Sequence, residues 1–462
     1  METLSALDSA FLVLEDETSF LHIGSVAVFE GPAPTFDAFR EAIRRKLPLV
    51  PRYRQRLLTV PGQLGRPVWV DDPDFDLDFH VRGTRVRSPG DDQALQDLAG
   101  HVMSMPLDRD HPLWEDWYVG GLADGRWAVI TKVHHSMVDG IAGTDLLSLV
   151  LDKSAEPDDV PLDTFDPEPL PTRTALLVRA TRERLADPYV DARLTVSSLR
   201  HPQHLFLLGA ATARGLAGFA AAARPVSRTS LVGSLGRERL YRWADVSIDD
   251  LRLVRAAYGG TLNDVVLAGV TLGFQDLLRG RHEHLTKHAV RTLVPVSVRL
   301  PDQRGQWDNR VSAIVAELPV ETPGPVDVLR EVTRRMDVLK ASHEAEAGQV
   351  MTTIADLMPP QGLSALLRVA FRFPQCFLST VTTNVPGPRT ELFLAGRRML
   401  ASYPYVPIAD RLRVGIAVTS YGGRLLFGIT ADRRSSDDVD TLRNGLVEGF
   451  DALVRAAKDD LG

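Results

Sequence analysis

Between residues 152 and 172 five prolines crowd among many acidic residues, and no apolar periodicity survives. Proline fixes φ and removes a backbone donor, so this stretch continues neither a helix nor a sheet interior, and it reads as a linker. It divides the chain. Upstream, residues 20–30 are rich in β-branched and aromatic side chains and end at Gly31-Pro32, the pattern of a strand. Residues 36–47 carry helical spacing and stop before Pro48. Arg126 to Val133 reads as a buried strand and 141–151 as an amphipathic helix. Downstream, helical stretches are predicted near 173–187 and 204–224. From about residue 240 strands are predicted at 290–297, 309–318, 378–384, 412–420 and 424–431, and helices at 248–257, 262–279, 325–342 and 436–458. Strands and helices alternate on both sides of the linker, so the fold class is α/β with two lobes. The expected division is a first lobe over 1–151, a linker and helical connector over 152–235, and a second lobe over 236–462. A chain of 462 residues exceeds one ordinary core in any case.

Charge and composition exclude several classes. The net charge is −7, which argues against a nucleic-acid partner held on a basic face. The lone cysteine, Cys376, lies in an apolar setting, reads as a buried thiol, and can form no internal disulfide. The N-terminus has no basic segment and places acids early, unlike a signal peptide. No window approaches the roughly 18 uninterrupted apolar residues of a spanning helix. The expected location is cytoplasmic, or peripheral to the inner membrane or to lipid inclusions. No Gly-x-Ser-x-Gly elbow, phosphate loop or dinucleotide glycine loop is present. His284 and His288 stand at i, i+4 in a charged connector; the run is not His-Glu-x-x-His, so it reads as a solvated loop and no metal is expected.

The run His134-His135-Ser136-Met137-Val138-Asp139-Gly140 carries the chemistry. It falls where a strand gives way to a helix. Adjacent residues of an extended segment point to opposite faces, so only one histidine can face a given cavity. A neutral imidazole accepts a proton near pH 7, which suits a base acting on a hydroxyl that attacks a thioester. Asp139 is placed to cap the following helix or to hold the loop through an arginine, and Gly140 allows a tight turn. A purely structural pair is the bland alternative. Adjacent histidines alone are a poor metal site.

The His-His-x-x-x-Asp-Gly run resembles the signature of the CoA-dependent acyltransferase superfamily, which includes chloramphenicol acetyltransferase, plant alcohol acyltransferases and peptide-synthetase condensation domains. Other segments narrow the likeness. Leu4-Ser5-x-x-Asp8-x-x-Phe11-Leu12, His22-x-Gly24 and Pro112-Leu113-Trp114 are similar to blocks of the bacterial wax ester synthase/diacylglycerol acyltransferase family. So are Asn263-Asp264, Pro295-Val296-Ser297-Val298-Arg299, Asn309-Arg310-Val311-Ser312, Thr383-Asn384-Val385-Pro386-Gly387-Pro388, and Ser420-Tyr421 with Phe427-Gly428 and Asp432. The blocks run from residue 4 to about 455 in family order. The Asp-Phe-Gly-Trp-Gly block of the plant branch is missing.

The resemblance implies two chloramphenicol-acetyltransferase-like lobes with a channel and active site at their interface. It implies an acyl-CoA-dependent O-acyltransferase that makes triacylglycerol from diacylglycerol, with fatty alcohols as possible acceptors giving wax esters. His135 would be the base and His134 its structural partner. Asn263 would donate to the thioester oxyanion or, alternatively, cap the helix it opens. Asn384 and Gly387 would shape a turn lining the channel, and Pro112-Leu113-Trp114 would be scaffold. No cofactor is implied, acyl-CoA being a co-substrate. The other readings are an acyltransferase for another lipid or polyketide-type alcohol, and a non-catalytic lipid-binding homologue. Residues 204–224, and 363–373 with Arg368 and Arg372, are read either as core-packing helices or as surfaces touching a membrane or lipid droplet.

Overall fold

The computed structural model describes residues 1–137, 150–183, 226–297, 311–341 and 377–461. Asp139, Gly140 and Cys376, and the stretches 204–224 and 363–373, lie outside the described residues. Two six-stranded sheets form the two lobes. A small sheet joins β1 (Glu2–Thr3), β4 (Val68–Asp71) and β3 (Gln55–Leu58).

The first large sheet contains β2 (His22–Phe29), β5 (Val81–Arg85), β6 (Trp114–Gly120), β7 (Trp127–His134), β12 (Phe393–Leu394) and β13 (Arg397–Tyr405), in the order β12-β13-β2-β7-β6-β5. The second contains β8 (Arg239–Ser247), β9 (Val290–Ser297), β10 (Val311–Leu318), β11 (Thr380–Val385), β14 (Val414–Tyr421) and β15 (Arg424–Asp432), in the order β10-β9-β11-β14-β15-β8. Strand register is set by burial. In β2 and β7 the pairs Val26–Ile130 and Phe29–Trp127 face each other across the ladder, and all four side chains are fully buried. The second core packs the helices Leu262–Gly280 and Val439–Leu461 on their sheet around Phe274, Phe427 and Phe450.

The lobes are not contiguous in sequence. β12 and β13 come from the second segment yet lie in the first sheet, where Tyr403 pairs with Val26 and Tyr405 with Gly24. The boundary expected at residue 236 is therefore crossed by a strand exchange. Its sequence signal is weak because β13 begins Arg397-Arg398 and contains Pro404. β13 is also tied to the second sheet. Tyr241 Oη donates to the Pro404 carbonyl at 2.8 Å, Tyr421 Oη to Met399 O at 3.1 Å, and Arg424 to Leu400 O at 2.7 Å. Gly428 allows this approach: a Cβ there would stand 1.7 Å from Pro404 O.

The Pro/Asp stretch is a strap fastened to the first lobe. Lys46 Nζ meets Asp152 Oδ1 at 2.6 Å, both side chains being 5% exposed. Arg54 pairs with Asp163 at 2.7 Å and lies over the Phe165 ring. The charges that make the segment look like a free linker are the ones that hold it down. Removing one partner of a buried pair strands the other, so Lys46→Ala is expected to cost about 3–5 kcal/mol in urea denaturation. The double variant Lys46→Met, Asp152→Leu should cost clearly less.

Candidate active site

β7 ends at His134, directly opposite His22 on β2. His134 is buried, at 1% exposure, whereas His135 leaves the strand in a short 3-10 turn, His135–Met137, and is half-buried. The two adjacent imidazoles thus meet different surroundings.

His134 is held through Nδ1. The Ser136 amide donates to Nδ1 at 3.1 Å, and Ser136 Oγ lies 2.6 Å from the same nitrogen. Because Nδ1 accepts a backbone N–H, the ring proton of the neutral form belongs on Nε2. Nε2 faces Glu15 Oε1 at 3.3 Å. Glu15 also accepts from the Leu21 amide at 2.7 Å and from Arg109 at 2.6 Å. Burial pushes the Glu15 carboxyl up, but His134, Arg109 and Leu21 outweigh it and bring it down to about 2.

The backbone at this point is fixed from two sides. The His134 amide donates to Leu113 O at 2.9 Å and the His135 amide to Leu21 O at 3.0 Å. Trp114 is fully buried, donates through Nε1 to Tyr53 O at 2.8 Å, and stacks on His80. Pro112-Leu113-Trp114 is therefore scaffold that grips the histidine strand. His22 is pushed down to about 3, chiefly by burial and then by the Lys132 cation, and its Nε2 meets Met103 O at 3.0 Å. Lys132 itself is fully buried and pairs with Glu115 at 3.2 Å. On the other side of the turn, the Phe11 ring lies 4.1 Å from the His135 ring, centroid to centroid. The helix Ala6–Leu14 that carries Phe11 is capped by Ser5, whose Oγ accepts the Asp8 amide at 3.0 Å.

The second lobe contributes another cluster. The helix Leu262–Gly280 is capped by Thr261, which forms a capping box with Asp264. Asn263 is thus not the cap, and its side chain accepts a hydrogen bond from Asn384 Nδ2 at 3.2 Å. The turn after Asn384 is anchored where the Gly387 amide donates to Ser420 Oγ at 3.0 Å. A Cβ at Gly387 would lie 1.8 Å from Ser420 O, so the contact needs glycine. His134 with Ser136, beside Glu15, forms one polar group, and the hydrogen-bonded pair Asn263 and Asn384 forms another.

Glu15 and Ser136 were not legible as partners of His134. Glu15 is distant in sequence, and a serine two residues past a histidine carries no recognisable pattern. Of the connector histidines, His284 is exposed and His288 pairs with Glu317 at 2.9 Å.

This two-lobed α/β arrangement is shared with solved acyltransferase and condensation-domain structures. The structure is similar to the wax ester synthase/diacylglycerol acyltransferase from Marinobacter aquaeolei VT8, with a TM-score of 0.67 and 24% identity over 99% of this chain and 100% of that one. It is also similar to the first condensation domain of the calcium-dependent antibiotic synthetase, with a TM-score of 0.59 and 18% identity over 100% and 97%. The family model described as the wax ester synthase/diacylglycerol acyltransferase catalytic domain matches residues 4–266, and that of the family's C-terminal domain matches 307–454. A Mycobacterium tuberculosis protein named as a probable diacylglycerol O-acyltransferase is 37% identical over 99% of this chain and 97% of its own length. The chain belongs to the wax ester synthase/diacylglycerol acyltransferase family, and is an acyltransferase.

The Glu15 carboxylate stays charged in the folded state down to about 2, whereas an unfolded chain takes up the proton near 4.5. Its contribution, about 3 kcal/mol, stands in full above pH 4.5 and is lost as the pH falls from there to 2. Glu15→Gln should lower stability at pH 7 and flatten the acid limb in that window, measured by urea denaturation across pH 2.5–7.

Proposed function

We propose that this chain transfers a long-chain acyl group from acyl-CoA to the free hydroxyl of diacylglycerol, giving triacylglycerol, with fatty alcohols as alternative acceptors. The observation that carries the mechanism is the split between the two histidines. His134 is buried, accepts the Ser136 amide on Nδ1 and faces Glu15 with Nε2, while His135 is half-buried on the turn. The more exposed ring, His135, is read as the general base. It takes the proton of the acceptor hydroxyl as the oxygen attacks the thioester carbonyl. The carbon–sulfur bond then breaks, and the imidazolium returns the proton to the departing CoA thiolate. No covalent enzyme intermediate and no cofactor enter this scheme.

Asn263 is read as the oxyanion donor. With Oδ1 engaged by Asn384, its Nδ2 group carries the two N–H bonds for the developing charge. His134 and Asp139 are read as holding the loop that presents His135. Acyl-CoA and acceptor enter the lobe interface from opposite faces in this reading. The names of the mycobacterial relatives support diacylglycerol as acceptor. Among the described residues no helix is long and apolar enough to cross a membrane. Diacylglycerol partitions into lipid, so the reading has the enzyme working at a membrane or droplet surface.

The test is thiol release from long-chain acyl-CoA with diacylglycerol, followed across a panel of acceptors by product mass. His135→Ala is expected to lower kcat by roughly 10²–10⁴-fold with the fold intact. Equal rates in wild type and variant would remove His135 from the mechanism. Binding of acyl-CoA without turnover of any acceptor would favour a non-catalytic homologue.

A further inference from the structure

We infer that Asn384 is a positioning residue for the acyl transfer: it sets the orientation of the Asn263 amide and so decides which end of that amide meets the reacting carbonyl. The inference rests on the reading of Asn263 as the oxyanion donor.

A side-chain amide has an acceptor end and a donor end of nearly the same shape, and it is useful to an oxyanion only when the N–H end faces it. Asn263 lies in the first turn of the helix Leu262–Gly280, whose start is taken by the Thr261–Asp264 capping box. The cap leaves the Asn263 side chain out of the backbone network, so nothing in its own helix selects the orientation of the amide. The selection comes from another element, 121 residues on: Asn384 Nδ2 donates to Asn263 Oδ1 at 3.2 Å. Once Oδ1 accepts that hydrogen bond, the N–H end is directed elsewhere.

Asn384 is itself held firmly. It lies near the end of β11, in register with Val418 of β14, which runs parallel to it. On the same face of β11, two residues earlier, Thr382 is buried and meets Thr292 Oγ1 at 2.9 Å. Just beyond, the chain is fastened at Gly387 by the contact with Ser420 already described. Thr292 and Ser420 thus brace the strand end from which Asn384 reaches the Asn263 amide. The half-buried side chains of Asn263 and Asn384 are the polar pair left at the edge of that construction. The end of an interior strand, braced this closely beside one hydrogen bond, serves to fix a direction.

The test is a double-mutant cycle in kcat, with KM for acyl-CoA and for acceptor recorded for each variant. Asn263→Ala should lower kcat by roughly 10²–10³-fold, the loss typical of one oxyanion donor. Asn384→Ala should lower kcat about 10-fold with both KM values little changed, the loss expected when the N–H end faces the carbonyl only about a tenth of the time. Asn384→Asp, close in shape but unable to donate through a carboxylate, should lower kcat at least as far. Asn384→Gln should recover part of the activity. In the Asn263→Ala background, Asn384→Ala should cost nothing further, a readout that a merely structural role would not give. Thermal melts identify any variant that has lost its fold, and the Asp and Gln variants keep the comparison when Ala is not tolerated. Full activity in Asn384→Asp, or losses that multiply in the double variant, would overturn the positioning role while leaving Asn263 as the donor. Full activity in Asn263→Ala would remove the oxyanion reading itself, and the positioning role with it.

Discussion

The hydrogen bond from the Ser136 amide to His134 Nδ1 decides what the rest of the site can be. It places the ring proton on Nε2, turns that nitrogen to Glu15, and bends the chain out of β7 at His135. A strand that simply continued would carry His135 to the opposite face of the sheet. The turn instead presents it beside Phe11 of the N-terminal helix. One imidazole is buried in the framework, and its neighbour stands half-buried on the turn.

This arrangement depends on a framework spread over the whole chain. The histidine strand is gripped by Leu113 and Leu21 through backbone bonds, and by Trp114 through the core. The sheet that carries it is completed by β13, which the second lobe supplies and also bonds through Tyr241, Tyr421 and Arg424. The strand exchange stitches the lobe bearing His135 to the lobe bearing Asn263. Buried ionisable groups add a direction to the pH response. Burial holds His22 near 3 and His80 near 4, so an unfolded chain gains protons there first as pH falls from 6.5. Both then favour unfolding under acid, in the same sense as Glu15.

Much of the fold was legible because local signals agreed with it. β2, β7 and β9 through β11 are dense in β-branched residues, and the helices at 262–280 and 439–461 repeat apolar residues at helical spacing. β13 was not legible, since Arg397, Arg398 and Pro404 hide a strand whose stability comes from neighbours on both sides. The strap at 152–172 reads as a linker because acids and prolines look solvated until their partners Lys46 and Arg54 are known. At the site, the His-His run stands out by residue type and Asn263 through the family resemblance. Their fixing partners could not, because Glu15, Ser136 and Asn384 act only through three-dimensional proximity. The capping box Thr261-x-x-Asp264 was the one local signal that separates Asn263 from a capping role.

The central claim is that the two histidines divide into a lock, His134, and a base, His135. Chemical rescue tests it most directly, because an exogenous base can replace a proton acceptor at an open position but not a side chain that holds a turn. Thiol release by His135→Gly and His134→Gly should be followed as imidazole is added, at fixed acyl-CoA and diacylglycerol. The account predicts a rate rising with imidazole for His135→Gly and a flat response for His134→Gly. Rescue of His134→Gly, with none for His135→Gly, would contradict it.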